Sequence, residues 1–543
     1  MPRPSRRLPA PRAMIVAPQP EAVEAGAAML AAGGNALDAT LACALTQGVV
    51  DPMMCGIGGI ATLQIFDPAT GTHRVLNGLG TCPAAAREDM WAADFEGECA
   101  DGFGYRVKGY ANERGPLAVT VPGALRVFAD AHARLGRKPW AALFDAAVGF
   151  AEEGWIIRPH VHAMFTMDER PYGRLSYVEK LGHTEEGRAL YLRPDGTPKR
   201  LGETVRNPAL AGTLRGLARD GAEDFYTGAL ARRIVADMAA QGGLLSAADL
   251  AGFRAMESAP LLVPYRGFTV ALPEPPAGGV VVGEMLRILE RFDLVALGHN
   301  TPAYIALVAE AMKLAGIDKE AHVGDPAFRD VPVGMLLSDA YADGLAARIR
   351  AGERASLLRS VSDAPNSTHV SCTDADGMVV SMTHTLAVPS GVIPPGTGFM
   401  LNGAMNWMDP RPGRAGSIAP GKRRYSSMSP TIVLDGTRPV ATLGAPGGAW
   451  ITVAVMQVLL NLLDWGMGMQ EAVSAPRFSA TSETVDLSNR IPRGVEKALR
   501  AAGHATKRSY QSYAFGGVHG ISLWDGVPEG GADPQRDGYA AGV

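Results

Sequence analysis

Residues 366–386 read Asn-Ser-Thr-His-Val-Ser-Cys-Thr-Asp-Ala-Asp-Gly-Met-Val-Val-Ser-Met-Thr-His-Thr-Leu. Two runs rich in β-branched residues and hydroxyls, 369–373 and 378–386, flank Asp374-Ala375-Asp376-Gly377, a strong β-hairpin signal. With those four residues as the turn, Ser367 falls opposite residue 384, one position from Thr385. The pairing sets two hydroxyls side by side at the open end of the hairpin. Upstream, residues 350–366 are polar, lack an apolar period and end in Ser362-Asp363-Ala364-Pro365-Asn366. Pro365 biases its predecessor toward extended backbone. A hydroxyl at a strand start, behind an extended polar segment, suits an enzyme that cuts its own chain before Ser367. The freed serine would supply a hydroxyl nucleophile and, as base, an α-amine with an unperturbed pKa of about 7.7–8.0.

Outward from the hairpin, the pattern mixes helices with antiparallel strand pairs. Residues 20–32 and 35–47 read as alanine-rich helices separated by Gly33-Gly34. Residues 59–66 and 73–76 read as strands around a turn at 67–71. Helical patterns cover 121–153, 207–218, 228–240, 301–315 and 451–463. Strands are expected within 261–272, at 431–434 and 440–443, and at 517–524. No internal repeat is visible. Strands in antiparallel pairs with helices grouped between them favour an α+β layered fold over a doubly wound parallel sheet.

Composition narrows the function classes. The chain has 543 residues, 20% charged and 47% hydrophobic, with a net charge of −4, so a strongly basic nucleic-acid or membrane-surface binder is excluded as the default. Five cysteines, Cys43, Cys55, Cys82, Cys99 and Cys372, form no CxxC pair, which fits a reducing compartment. The first 20 residues read as a disordered leader; prolines and Arg12 follow Arg6-Arg7 where an export signal needs an apolar run. The most apolar stretch, 451–463, contains Gln457 and Asn461 and is too short to span a bilayer. A cytoplasmic enzyme is expected, with no nucleic-acid or membrane partner.

The hairpin motifs, Asn366-Ser367-Thr368-His369-Val370-Ser371 and Ser381-Met382-Thr383-His384-Thr385-Leu386, resemble the nucleophile region of the gamma-glutamyltransferase family of N-terminal nucleophile hydrolases. The likeness covers almost the whole chain. In order come Gly33-Gly34-Asn35-Ala36-Leu37-Asp38-Ala39, Gly56-Ile57-Gly58-Gly59, Val121-Pro122-Gly123, Asp224-Phe225-Tyr226-Thr227-Gly228 and Pro275-Pro276-Ala277-Gly278-Gly279. Gly324-Asp325-Pro326, Tyr425-Ser426-Ser427-Met428-Ser429-Pro430 and Gly444-Ala445-Pro446-Gly447-Gly448 complete the series. The resemblance implies a four-layer αββα sandwich and a precursor cut between Asn366 and Ser367. Residues 21–366 would be the large subunit and 367–543 the small one, intertwined as one domain. It also implies amide-bond chemistry through an acyl-enzyme, with no cofactor and no metal. Ser367 stands where the family's nucleophile is usually threonine, and Thr368 is the alternative. Thr385 matches the residue that hydrogen-bonds the nucleophile, the N–H groups of Gly447 and Gly448 match the oxyanion donors, and Ser426 and Ser427 match the serines beside the acyl group.

The substrate pocket departs from that pattern. Leu79 occupies the place of the arginine that holds a glutamyl α-carboxylate, and Ala387 that of an asparagine. Ala404 and Trp407 replace the glutamine and aspartate that hold the α-amine. Each lost hydrogen bond to a charged group is worth about 1.5–3 kcal/mol. The expected substrate is therefore a small amide with a non-glutamyl acyl group. A gamma-glutamyl hydrolase or transferase on glutathione-like donors, and a catalytically silent relative acting as a binding protein, are the alternatives. The acyl group, hydrolysis against transfer, and a homo-oligomeric state stay open.

Other motifs read as structural. His160 and His162 have metal-site spacing but no acidic residue at a fitting distance. Gly56-Ile57-Gly58-Gly59 lacks the Lys-Ser or Lys-Thr of a phosphate loop. Cys372 reads as core. Lys422-Arg423-Arg424 reads as a solvated basic loop, with a substrate-carboxylate role as the alternative because Ser426 is close.

Overall fold

The structure, a computed structural model, describes residues 10–100, 104–357 and 366–543. The hairpin is present: Thr368–Thr373 pairs antiparallel with Val379–Thr385. Its register is one residue from the expected one, with Thr368 opposite His384, so that Ser367 continues the line toward Thr385. The difference lies in the turn. Asp374 N–H bonds the Met378 carbonyl, which leaves a three-residue loop with Gly377 at φ 89°. The Asp374 carboxylate closes the loop by accepting from Asp376 N–H and Met378 N–H. Its other oxygen accepts from Ala36 N–H at 2.9 Å, tying the turn to the start of helix Ala36–Val50. That helix starts at a capping box, Asn35 with Asp38.

The hairpin is the centre of a seven-stranded sheet ordered Gly538–Gly542, Met14–Pro18, Thr368–Thr373, Val379–Thr385, Ile60–Asp67, Thr72–Gly78, Met256–Ser258. A second, six-stranded sheet runs Glu529–Ala532, His519–Ser522, Arg438–Gly444, Thr431–Asp435, Phe268–Leu272, Leu261–Tyr265. Strands of the first sheet touch Arg438–Gly444 and His519–Ser522 of the second. Helices Pro20–Ala31 and Ala36–Val50 contact the first sheet, and helices Gly279–Leu289 and Ile451–Leu463 contact the second. The fold is α+β. Both sheets draw strands from the two sides of residue 366, interleaved in the first sheet and side by side in the second.

The leader expectation needs correction. Residues 14–18 are not disordered: Met14–Pro18 lies between the C-terminal strand and Thr368–Thr373. Its partners are hundreds of residues away, which no local signal reveals. Residues 1–9 of that expectation lie outside the described residues, as do 358–365 of the polar segment. The 121–153 pattern is two α-helices, Ala124–Leu135 and Asp145–Glu153, because Gly136 and Pro139 break the run. The 517–524 strand contracts to His519–Ser522.

Helix Ile451–Leu463 shows how a polar pair survives in an apolar helix. Every residue but the last is buried. The Gln457 amide exchanges two hydrogen bonds with the backbone of Phe478, and Asn461 donates to the Ala472 carbonyl. Each buried amide is thus paired, which removes the penalty of burying it. No helix among the described residues is long and apolar enough to cross a membrane.

Candidate active site

Ser367 sits immediately before the first strand of the hairpin, 2% exposed, with φ at 80°. That is the left-handed region, where a non-glycine residue carries strain of about 1–3 kcal/mol. Its neighbours hold it there. The Asn366 carbonyl accepts from Gly447 N–H at 2.8 Å. The Asn366 side-chain oxygen accepts from the Tyr177 hydroxyl at 3.0 Å. The Ser367 carbonyl accepts from Arg536 Nη1 at 3.3 Å.

Gly447 and Gly448 form the turn that leads into helix Ile451–Leu463, an end where backbone N–H groups point outward. Both have positive φ, 138° and 55°. A Cβ on Gly447 would lie 2.8 Å from the Gly516 Cα, so only glycine fits. The Ser427 hydroxyl donates to the Gly448 carbonyl and fixes the turn from outside. Ser426 is buried; its N–H donates to the Pro276 carbonyl at 2.8 Å.

Thr385 closes the facing strand, 1% exposed, and its Oγ1 accepts from Ala387 N–H at 2.9 Å. That leaves its O–H free to donate. The Gly56-Ile57-Gly58-Gly59 run has its own reason: a Cβ on Gly59 would lie 2.4 Å from the Thr385 carbonyl oxygen, and one on Gly58 2.4 Å from that of Met400. Glycine lets the chain pass directly behind Thr385. Thr368 faces away from this cluster. Its Oγ1 accepts from Gln47 Nε2 at 2.9 Å, and the Gln47 oxygen faces His384 Nε2 at 2.8 Å. Burial pushes His384 down to about 3, so its imidazole is neutral and Nε2 carries the donated proton.

The four departures sit as follows. Leu79 is fully buried in the same apolar cluster as Ile60. Ala387 and Ala404 are buried. Trp407 ends a short helical turn, and its ring carries the Arg424 guanidinium 3.5 Å above its centroid. Lys422 and Arg424 are both buried, so the solvated-loop expectation for the basic run is wrong. Asp325 accepts from Arg423 N–H at 2.7 Å, which anchors the run. Beside the Gly447-Gly448 turn opens a cavity of about 340 Å³ lined by Ser427, Ala449, Thr452, Tyr425, Arg424 and Trp407.

His160 is buried, with Nε2 3.8 Å from Asp51 Oδ2, and burial lowers its pKa well below the ordinary value. Among the described residues no group of three or more His, Cys, Asp or Glu is placed to hold a metal ion. Cys372 is buried, and burial raises its thiol pKa far above the ordinary range, which makes it a poor nucleophile.

Three contributors have no sequence signal. Gln47 sits on a helix buried on all sides, so no polar face marks it. Tyr177 follows an ordinary capping box, Ser176 with Glu179. Arg536 lies in a short turn far down the chain. Each reaches the hairpin only through tertiary contact.

The chain matches the family model described as gamma-glutamyltranspeptidase over residues 22–543. It is 38% identical to the acylase ACY 1 proenzyme of Pseudomonas sp. (strain V22), covering 98% of this chain and 94% of that protein. It is 30% identical to the glutathione hydrolase proenzyme of Escherichia coli (strain K12), covering 98% and 92%. Among solved structures it superposes on the cephalosporin acylase from Bacillus halodurans with a TM-score of 0.86 and 31% identity, over 100% of this chain and 98% of that one. With a family model spanning nearly its whole length and full-length relatives on both the acylase and the glutathione hydrolase side, the chain belongs to the gamma-glutamyltranspeptidase family of enzymes.

Proposed function

We propose that this chain is a zymogen that cuts its own backbone between Asn366 and Ser367 and then works as an amide hydrolase, through an acyl-enzyme on Ser367, on a non-glutamyl acyl amide. The observation that carries this reading is the 2.8 Å bond from Gly447 N–H to the Asn366 carbonyl. In the cut, Ser367 Oγ attacks that carbonyl carbon, and negative charge collects on the oxygen this N–H already holds. The C–N bond then breaks, the Ser367 nitrogen takes the proton, and an ester joins Asn366 to Ser367 Oγ. Water opens the ester to the Asn366 carboxylate and the free serine. The positive φ of Ser367 adds a push, because the torsion strain disappears once the preceding carbonyl is gone.

After the cut, the site would repeat the chemistry on substrate. The Ser367 α-amine takes the hydroxyl proton, Oγ attacks the amide carbon, and the Gly447 and Gly448 N–H groups receive the oxyanion. The proton passes to the leaving amine, and water releases the acyl group. Thr385, with its O–H free, would donate to Ser367 Oγ and orient it. The Gln47 bond to Thr368 supports Ser367 as the nucleophile, because the Thr368 hydroxyl is already engaged on the helix side. The buried Leu79, Ala387 and Ala404 offer a glutamyl head group nothing to bind its charges, and relatives named acylases share the chain's full length. In this reading residues 21–366 and 367–543 become the two subunits, intertwined because both sheets draw on both segments. The two sheets with their flanking helices form the four-layer αββα sandwich. Buried thiols at all five cysteines support a reducing, cytoplasmic setting.

The test is to trap the acyl-enzyme. Rapid acid quench of the purified protein with an uncharged acyl p-nitroanilide should add one acyl mass to the fragment starting at Ser367. Turnover without any covalent adduct on that fragment would refute the reading.

A further inference from the structure

Arg424 is 5% exposed, yet it has no acidic partner among the described residues. Its Nη1 donates to the neighbouring Tyr425 carbonyl, while Nε and Nη2 have no hydrogen-bond partner among the described residues. An arginine keeps its charge under all ordinary conditions, so a buried guanidinium with two idle donors is costly unless something anionic arrives. Desolvation accordingly drives its pKa well below the ordinary value. The other cations on the cavity wall are served or wet. Arg411 is held by Asp409 and Glu98, Lys319 by Glu320, and Arg414 is exposed. Trp407 holds the guanidinium 3.5 Å from its ring centroid, and Arg424 lines the cavity, so a small side-chain shift brings its buried donors to a ligand there. The same cavity is lined by Ser427 and Ala449, which flank the Gly447-Gly448 turn, and its roughly 340 Å³ is the size of a small-ligand site.

We propose that Arg424, laid on Trp407, is the receptor for a carboxylate carried by the amide substrate, which makes this cavity a specificity pocket for singly anionic amides. The proposal rests on the hydrolase reading for its catalytic consequence and on the cavity alone for binding. A planar carboxylate offers two oxygens to two guanidinium N–H groups, the geometry that arginine matches best. The carboxylate can belong to the acyl part or to the amine part, and the experiment separates the two.

The processed enzyme is assayed with three anilides of equal chain length. Glutaryl p-nitroanilide carries its carboxylate on the acyl side. The valeryl amide of 5-amino-2-nitrobenzoate carries it on the amine side. Valeryl p-nitroanilide carries none. The proposal expects one carboxylate-bearing substrate to exceed the neutral one in kcat/KM by about ten- to hundredfold, the effect of one or two charge-assisted hydrogen bonds. That preference should vanish in Arg424→Met and survive in part in Arg424→Lys. Glutarate binding, measured by calorimetry against pentanamide, should weaken at least tenfold in Arg424→Met. The binding arm needs no turnover. If it behaves as expected while no anilide is hydrolysed, the pocket stands and the hydrolase reading falls. If anilides are turned over while Arg424→Met, or Arg424→Lys where the methionine variant does not fold, shows the wild-type charge preference and glutarate affinity, the hydrolase reading stands and this proposal is overturned.

Discussion

Substituting Gly447 by alanine strikes the donor that the proposed mechanism uses for both the cut and the turnover. The added Cβ would meet the Gly516 Cα at 2.8 Å, a backbone atom that cannot rotate aside, and the residue would be held at φ 138°, where L side chains rarely sit. The turn must therefore shift, and its N–H moves off the Asn366 carbonyl that it now holds at 2.8 Å. Loss of one oxyanion donor typically slows acyl transfer by about 10²–10³, or roughly 2.7–4 kcal/mol of transition-state stabilisation. The same factor is expected for self-cleavage and for kcat, because in the proposed mechanism one N–H serves both carbonyls. Intact-mass time courses on freshly purified chain measure the first, and a chromogenic anilide with any residual processed enzyme measures the second. Near-UV circular dichroism establishes that the variant is folded. Ser427→Ala is the gentler perturbation: it removes the hydroxyl bond to the Gly448 carbonyl, worth about 0.5–1.5 kcal/mol, and should slow both steps roughly two- to tenfold. A folded Gly447→Ala protein that cleaves itself at the wild-type rate would refute the assigned role of this turn.

Ser367→Thr should keep both processing and turnover, since it adds one methyl group to the same hydroxyl, whereas Thr368→Ala should leave measurable activity because that hydroxyl serves Gln47; a dead Thr368→Ala that still folds would shift the nucleophile by one residue. Glutathione and gamma-glutamyl anilides should be poor donors, well below about 10⁴ M⁻¹s⁻¹ in kcat/KM, because Ala404 and Trp407 leave the glutamyl α-amine without a partner even where Arg424 takes the carboxylate; efficiency above that level would overturn the pocket reading. Asp51, buried and only partly compensated by Gln19 and Arg536, has its carboxyl raised from 3.8 to about 7 by desolvation. The folded state then binds that proton more tightly than the unfolded one, so this group lowers stability progressively as pH rises from about 4 to about 7. Asp51→Asn should raise the Tm at pH 8, by an amount equivalent to about 2–4 kcal/mol, with the gain shrinking toward zero near pH 4; a gain that is flat with pH would show that the carboxyl is not perturbed.

How much of this was legible in the sequence differs by length scale. The hairpin at 368–385 carries its own turn chemistry, and the helix at 451–463 its own apolar length, so both follow from local pattern. The register error of one residue came from Asp374, whose carboxylate draws it out of the turn and into the ladder. Met14–Pro18 and Gly538–Gly542 were invisible as strands because short segments pair only when the other end of the chain arrives. At the proposed site, Ser367, Thr385 and the Gly447-Gly448 pair lie in dense motifs that single them out in the sequence. Arg424 shows the opposite case: in sequence it is one of three cations in a loop, and only burial against Trp407 reveals that it lacks an acidic partner among the described residues. Tyr177 and Arg536 reach the hairpin through long-range hydrogen bonds, which leave no periodicity to detect.

The most direct test of the self-processing account is the mass of the protein as it comes off the column, with the N-terminal sequence of each fragment. Wild-type chain, purified without added protease, should appear as two tightly associated fragments, the smaller beginning Ser367-Thr368-His369, while Ser367→Ala should persist as a single folded chain with no activity. A wild-type protein that stays one intact chain while turning over amides at full rate would contradict the account.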